Sequence, residues 1–165
     1  MLIVLGGLPG TGKTSIAREI LLRCAAAYVR IDEIEQALKA AQVLAGDVGP
    51  AGYLVAYALA RSNLQLGQTV LVDGVNPLAV TREAWRAVAA DTASVLLEVE
   101  IICSDAAEHR RRVEHRTADI VGHVLPTWTA VSTHDYTPWT TPRLVIDTAT
   151  TSASDAASLI LRQRH

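Results

Sequence analysis

Two kinds of run alternate along this 165-residue chain. Residues 2–5 (Leu-Ile-Val-Leu) are wholly apolar and predict a buried strand, the glycine-rich residues 6–12 a loop, and residues 13–23 a helix. A second short strand is expected over residues 28–31. From Asp32 onward, Ile34, Leu38, Ala41 and Ala45 keep the i, i+4, i+7, i+11 spacing of one helix face. Gly46, Gly49, Pro50 and Gly52 break the chain, and a further helix is expected to stop at Gly67. Residues 69–72 make a third strand ending in Asp73-Gly74, and Pro77 precedes a helix through Ala90. A fourth strand spans 95–102, a helix 106–116, and a fifth strand 144–146 leads into a C-terminal helix. Strands alternating with helices predict βαβ units and a parallel sheet covered on both faces. Glu98 and Glu100 conflict with a fully buried fourth strand, so either one end of it is exposed or nearby arginines pair with them.

The length suits one domain over residues 1–165. Half the residues are apolar and the formal net charge is only −2, which excludes a disordered chain. No stretch approaches the roughly 20 apolar residues of a membrane span, and no targeting segment is expected. The charge offers no basic footprint for nucleic acid. Two cysteines, Cys24 and Cys103, are too few for a disulfide scaffold and too far apart for a metal-type pair; they fit a reducing cytoplasm. The one compositional shift is residues 117–141, with seven threonines, two prolines and, as carboxylates, only Asp119 and Asp135. Such a stretch is expected to be a functional loop or lid.

The strongest chemical signal is Gly7-Leu8-Pro9-Gly10-Thr11-Gly12-Lys13-Thr14, followed by Ser15, which matches G-x-x-x-x-G-K-[ST] between strand and helix. Glycines let successive backbone N–H groups turn inward around an anion, and the positive end of the helix adds to the attraction. Lys13 would place a charge on the β- and γ-phosphates of ATP, and the Thr14 hydroxyl would ligate Mg²⁺. Guanine-specific GTPases need an Asn-Lys-x-Asp segment, but neither lysine, Lys13 or Lys39, follows an asparagine. Remodelling ATPases use a second helical domain, for which this chain is too short.

The phosphate loop, Arg30-Ile31-Asp32 and the arginine-rich helix after the fourth strand resemble the small P-loop kinases, a group that includes nucleoside-monophosphate, gluconate, shikimate, chloramphenicol and zeta-toxin-type kinases. Residues 72–77, 103–116, 125–128 and 143–149 are similar to bacterial proteins described generically as AAA-family ATPases or predicted kinases. At His134-Asp135-Tyr136-Thr137-Pro138-Trp139 the chain departs from the family's Arg-Glu-Tyr-Glu-Pro-Trp. The resemblance implies a P-loop NTPase three-layer sandwich: five parallel strands in order 2-3-1-4-5, helices on both faces and a helical lid.

It also implies roles. Asp32 would accept the proton of an acceptor hydroxyl or orient it; alternatively, its spacing to Glu35 is that of a helix cap. Asp73, an acid ending an apolar strand, would hold Mg²⁺ directly or through water, or is a turn residue. Of Arg110, Arg111, Arg112 and Arg116, Arg112 and Arg116 share a face and are the candidates for cationic lid residues, with Arg110 in reserve; the alternative is a solvated basic face. The segment 147–150 would pass the adenine, or is a plain connection. Tyr53 and Tyr57 have core spacing, with the acceptor pocket as the alternative; Trp85 is core. His109 and His115 diverge by about 240° around a helix, which excludes a shared metal. The function expected is an ATP- and Mg²⁺-dependent kinase acting on a small-molecule hydroxyl. The alternatives are an ATP-binding regulatory module with little or no turnover and, less favoured by the charge, a polynucleotide 5′-hydroxyl kinase.

Overall fold

The computed structural model describes residues 1–42 and 46–163. Its elements, in chain order, are β1 (Leu2–Gly6), α1 (Lys13–Leu21), β2 (Ala27–Arg30), α2 (Ile31–Ala40), α3 (Ala51–Gln65), β3 (Val70–Asp73), α4 (Ala79–Asp91), β4 (Leu96–Ile102), α5 (Ala106–His115), α6 (Trp128–Ser132), β5 (Leu144–Asp147) and α7 (Ala153–Arg162). The strands form one parallel sheet in the order β2-β3-β1-β4-β5, the expected order. No helix among the described residues is long and apolar enough to cross a membrane.

Alternation along β1 sends its side chains into two cores. Ile3 and Leu5 join Ile16, Ile20, Ile101, Ile146 and Ile160 beneath α1 and α7. Leu2 and Val4 join Val70, Val72, Ala56, Ala60 and Trp85 on the other face. The chain has only seven aromatic residues, three Trp and four Tyr, and buried alanines explain how so few suffice. Ala17, Ala156 and Ala157 are fully buried where α1 and α7 pack, and Ala56 and Ala60 do the same for α3. Small side chains bring the backbones close enough to fill the interior without large rings.

Three expectations are corrected. The helix that begins after β2 ends at Ala40, with Ala41 as its C-cap, and Ala45 lies outside the described residues. Gly52 does not break the chain but sits in the first turn of α3. The threonine-rich stretch contains a helix, α6, started by Thr127, whose side-chain oxygen accepts from the Ala130 N–H.

The charged positions of β4 are paired. Arg86 of α4 grips Glu98 through two bonds of 2.9 and 3.0 Å, and Arg143 holds Glu100 at 2.8 Å. The Tyr136 hydroxyl also donates to Glu100. Residues 136–143 thus cover this part of the sheet with ion pairs and rings. Arg82 secures the same stretch, donating to the carbonyls of Thr137 and Pro77 and stacking 4.4 Å from the Trp139 ring centre.

Arg82 also donates to the Asn76 carbonyl, and Asn76 is the hub between β3 and α4. Fully buried, it donates from Nδ2 to the Leu5 carbonyl, accepts from Trp85 Nε1 at 2.8 Å, and gives its backbone N–H to the Tyr53 hydroxyl. Its φ of 49° lies in the left-handed region that asparagine tolerates better than most residues. Asn76→Ala leaves the Trp85 N–H and Leu5 carbonyl buried without partners. Urea unfolding should show a loss of about 3 kcal/mol, the sum expected for two such groups.

Candidate functional site

The carboxyl ends of β1, β2 and β3 meet at one edge of the sheet, where ligand sites of α/β folds form. From β1 comes the loop of residues 7–12, from β2 the run Arg30-Ile31-Asp32, and from β3 Asp73. A cavity of about 900 Å³ opens there, lined by Gly10, Lys13, Thr14, Asp32, Asp73 and Arg116 among others.

The loop is shaped by its glycines. Gly7, Gly10 and Gly12 have φ of 140°, 84° and 98°, values at which a side chain is strained. Space forbids one as well: a Cβ on Gly7 would run into the Ile101 carbonyl oxygen, and one on Gly10 would lie 2.5 Å from Val113 Cγ2. Helix α5 is therefore packed directly on the loop. His109 is part of this contact, buried with Nε2 2.8 Å from the Pro9 carbonyl oxygen and its ring against Trp128. Gly7, Leu8 and Thr11 form the rear of the loop and Pro9, Gly10, Gly12, Lys13, Thr14 and Ser15 its cavity side.

Lys13 is buried and folds back along the loop, donating from Nζ to the carbonyls of Gly7 at 2.7 Å and Leu8 at 3.0 Å. Burial lowers its pKa, against the opposing pull of Asp73 and Asp32. The Thr14 hydroxyl donates to Asp73 Oδ2 at 2.7 Å, and the Tyr28 hydroxyl donates to the same oxygen at 2.8 Å. The motif threonine and the acid ending β3 are thus in contact, 59 residues apart in sequence. Hydroxyl and carboxylate oxygens are the donors that Mg²⁺ prefers, so this pair fits the ion.

Asp32 stands in the first turn of α2 and lines the cavity. It is not a helix cap: the N-cap is Arg30, and no side chain caps the helix. The carboxylate makes no hydrogen bond or ion pair with the described residues, and it acts electrostatically on both Lys13 and Arg116.

The arginine helix divides as its exposure dictates. Arg110 and Arg111 are spent on Glu114 and Glu108 at the surface. Arg112 bonds Glu108 and also reaches Thr148, donating to its hydroxyl and carbonyl at 2.9 and 3.0 Å. It is thus tied to the loop after β5. The Thr148 hydroxyl donates on to Thr11 and Ile102 carbonyls, tying that loop to the phosphate loop. Asp147 shapes the turn from within, accepting from the N–H groups of Ser104 and Ala149. Arg116 lines the same cavity and interacts electrostatically with Asp32; burial lowers its pKa, and its buried Nε has no partner.

Sequence reasoning missed the group formed by Arg18, Arg30 and Asp119. Arg30 Nη1 and Nη2 lie 2.8 and 2.9 Å from the Asp119 carboxylate, and Arg18 Nη2 2.6 Å. Arg30 Nε is 3.9 Å from Asp73. The available signal was Asp119 itself, one of two carboxylates in an otherwise uncharged stretch. Tyr53 and Tyr57 pack against the core, as their spacing implies.

The family model AAA_33, described as an AAA domain, matches residues 2–132. The chain belongs to this family. An uncharacterized protein of Mycobacterium tuberculosis is 31% identical to this AAA_33 domain over 109 residues, 59% of this chain. The match covers 22% of that relative, so the chain spans about a fifth of its length. Solved structures share the fold from end to end. The Mycobacterium tuberculosis APS kinase CysC, solved with AMPPNP and APS, has a TM-score of 0.69 at 20% identity, covering 98% of this chain and 95% of that one. Chaetomium thermophilum Kti12, solved with ADP-AlF3, gives 0.71 at 18%, covering 99% and 96%. A gluconokinase from Sinorhizobium meliloti gives 0.62 at 18%, covering 99% and 97%. The fold is that of the small P-loop kinases, as the sequence resemblance implied.

Two glycine substitutions separate the sources of strain in the loop. Gly67 also has positive φ, 77°, but open space around it. Gly67→Ala should cost about 1 kcal/mol, the left-handed penalty alone. Gly10→Ala adds collision with Val113 and should cost about 3 kcal/mol in the same urea titration.

Proposed function

We propose that this AAA_33 domain is an ATP-dependent phosphotransferase that moves the γ-phosphoryl group to a hydroxyl of a small molecule, and that residues 1–165 act as one catalytic unit. The observation that carries the reading is the placement of Asp32. It is an otherwise unpartnered carboxylate lining the cavity, in electrostatic interaction with the loop lysine and the half-buried Arg116. A domain that only binds nucleotide has no need of a free acid there.

In this reading the N–H groups of Gly10, Gly12 and Lys13, on the cavity side of the loop, hold the β-phosphate, and Lys13 leaves the Gly7 and Leu8 carbonyls to contact the transferred group. Thr14 and Asp73 would hold Mg²⁺. Bound there, the ion would neutralise charge on the β- and γ-phosphate oxygens. Asp32 orients the acceptor hydroxyl for in-line attack and takes its proton as the oxygen–phosphorus bond forms and the bond to ADP breaks. Arg116 supplies positive charge to the oxygens of the group in flight. Arg112 stays on the loop after β5, where the adenine would pass. The electrically balanced surface supports a small-molecule acceptor over a polynucleotide.

Acceptor-dependent release of ADP tests this. A panel of metabolites, sugars, nucleosides and antibiotics should contain at least one compound that raises it; binding of ATP with no response across the panel would favour a regulatory module. With the responding acceptor, Lys13→Ala should abolish turnover. Asp32→Asn should keep ATP binding and lose about 10²–10⁴-fold in transfer; a full rate would remove Asp32 from the mechanism.

A further inference from the structure

Between α5 and α6 the chain crosses the mouth of the cavity with almost nothing holding it down. None of residues 117–126 is buried, and Val121 and Val124 are 97% and 87% exposed. The stretch makes one main-chain hydrogen bond, from the His123 N–H to the Ile120 carbonyl, which is internal to it. Yet Asp119, His123, Leu125 and Pro126 line the cavity. Among the described residues, every side-chain hydrogen bond and ion pair from 117–126 to the rest of the fold passes through Asp119.

We infer that Asp119 is a positioning residue: it latches this strap to Arg30 and thereby sets Arg116 beside Asp32. The inference deepens the phosphotransferase reading and rests on it. The pair with Arg30 is bidentate, two N–H groups on two carboxylate oxygens, which fixes direction as well as distance. Arg30's side chain is only 10% exposed, so solvent and salt screen the pair less than an ordinary surface bridge. Arg18, 63% exposed, adds less. The Arg30 bonds hold the Asp119 carboxyl at about 2, so the latch is charged at any working pH.

Position in the chain gives the latch its reach. Arg116 is the C-cap of α5, three residues before Asp119, and its Nε is buried and unpartnered. No hydrogen bond of its own side chain holds it there among the described residues. Fixing Asp119 fixes the direction in which the chain leaves α5, and with it the Arg116 side chain. Arg30 in turn stands at the end of β2, two residues before Asp32 and 3.9 Å from Asp73. The strap is therefore anchored on the same strand end that presents the acceptor-facing acid.

Asp119→Asn keeps the shape but cannot accept two charge-assisted bonds. Hydrogen exchange of the full chain should accelerate about tenfold or more over residues 117–127 while the sheet stays protected. Titration with AMP-PNP and Mg²⁺ should show affinity reduced about tenfold, because Arg116 is released. Asp119→Glu should recover much of both, and Asp135→Asn, which removes an exposed carboxylate in the next part of the chain, should change neither. Unchanged exchange over 117–127, or faster exchange across the whole sheet with a lowered Tm, would overturn the latch. Faster exchange confined to 117–127 with unaltered AMP-PNP affinity would overturn its link to the site. If the unaltered protein fails to bind AMP-PNP, the phosphotransferase reading falls, while exchange still decides whether Asp119 holds the strap.

Discussion

The loop of residues 7–12 must keep one side open toward an anion, and that constraint organises the molecule. A loop with three positive-φ glycines has little conformational preference of its own. Its shape comes from what is packed around it. The Ile101 carbonyl lies against Gly7, Val113 and His109 against Gly10, and Thr148 against Gly12. Three parts of the chain, β4, α5 and the turn after β5, thus meet on one short segment. A side chain at Gly7 or Gly10 would push the contacts apart, so the phosphate cradle and the packing of the sheet's carboxyl edge are one feature.

Charge is handled by a second device, a relay of ion pairs that crosses from the cavity to its cover. Thr14 touches Asp73, Asp73 lies near Arg30, and Arg30 grips Asp119. Burial depresses the pKa of Lys13 and Arg116, the expected consequence of holding cations away from water. Such a site gains from an incoming polyanion, which supplies negative charge to both cations. Farther out, Arg86, Arg143 and Arg82 use the same chemistry structurally, joining residues 136–143 to β4 and α4. Threonine-rich sequence that looks like one loop therefore serves two purposes: its first part lines the cavity and its last part covers the sheet.

Most of the fold is legible because its signals are local. Apolar runs of four or five residues mark strands buried on both faces, and the phosphate-loop motif needs only eight consecutive positions. The pairing of Glu98 and Glu100 with arginines was open as one of two possibilities, and the partners Arg86 and Arg143 came from α4 and from the approach to β5. The start of α6 was missed because a five-residue helix carries almost no periodicity. Glycine 52 misled because a helix's first turn tolerates it when Glu35 packs alongside.

What the sequence determined by itself was the alternation of strands and helices, the anion loop and the identity of the acids at strand ends, since each rests on neighbours a few residues apart. Only the tertiary structure decided which arginine goes where. Arg112 and Arg116 are four apart, yet the first bonds Thr148 while the second, the C-cap where the chain leaves α5, interacts with the charge of Asp32. Asp119 and Arg30 are 89 residues apart, and no pattern along the chain links them. Long-range ion pairs depend on where the folded backbone brings charges together, and that placement is set by packing of the whole sheet.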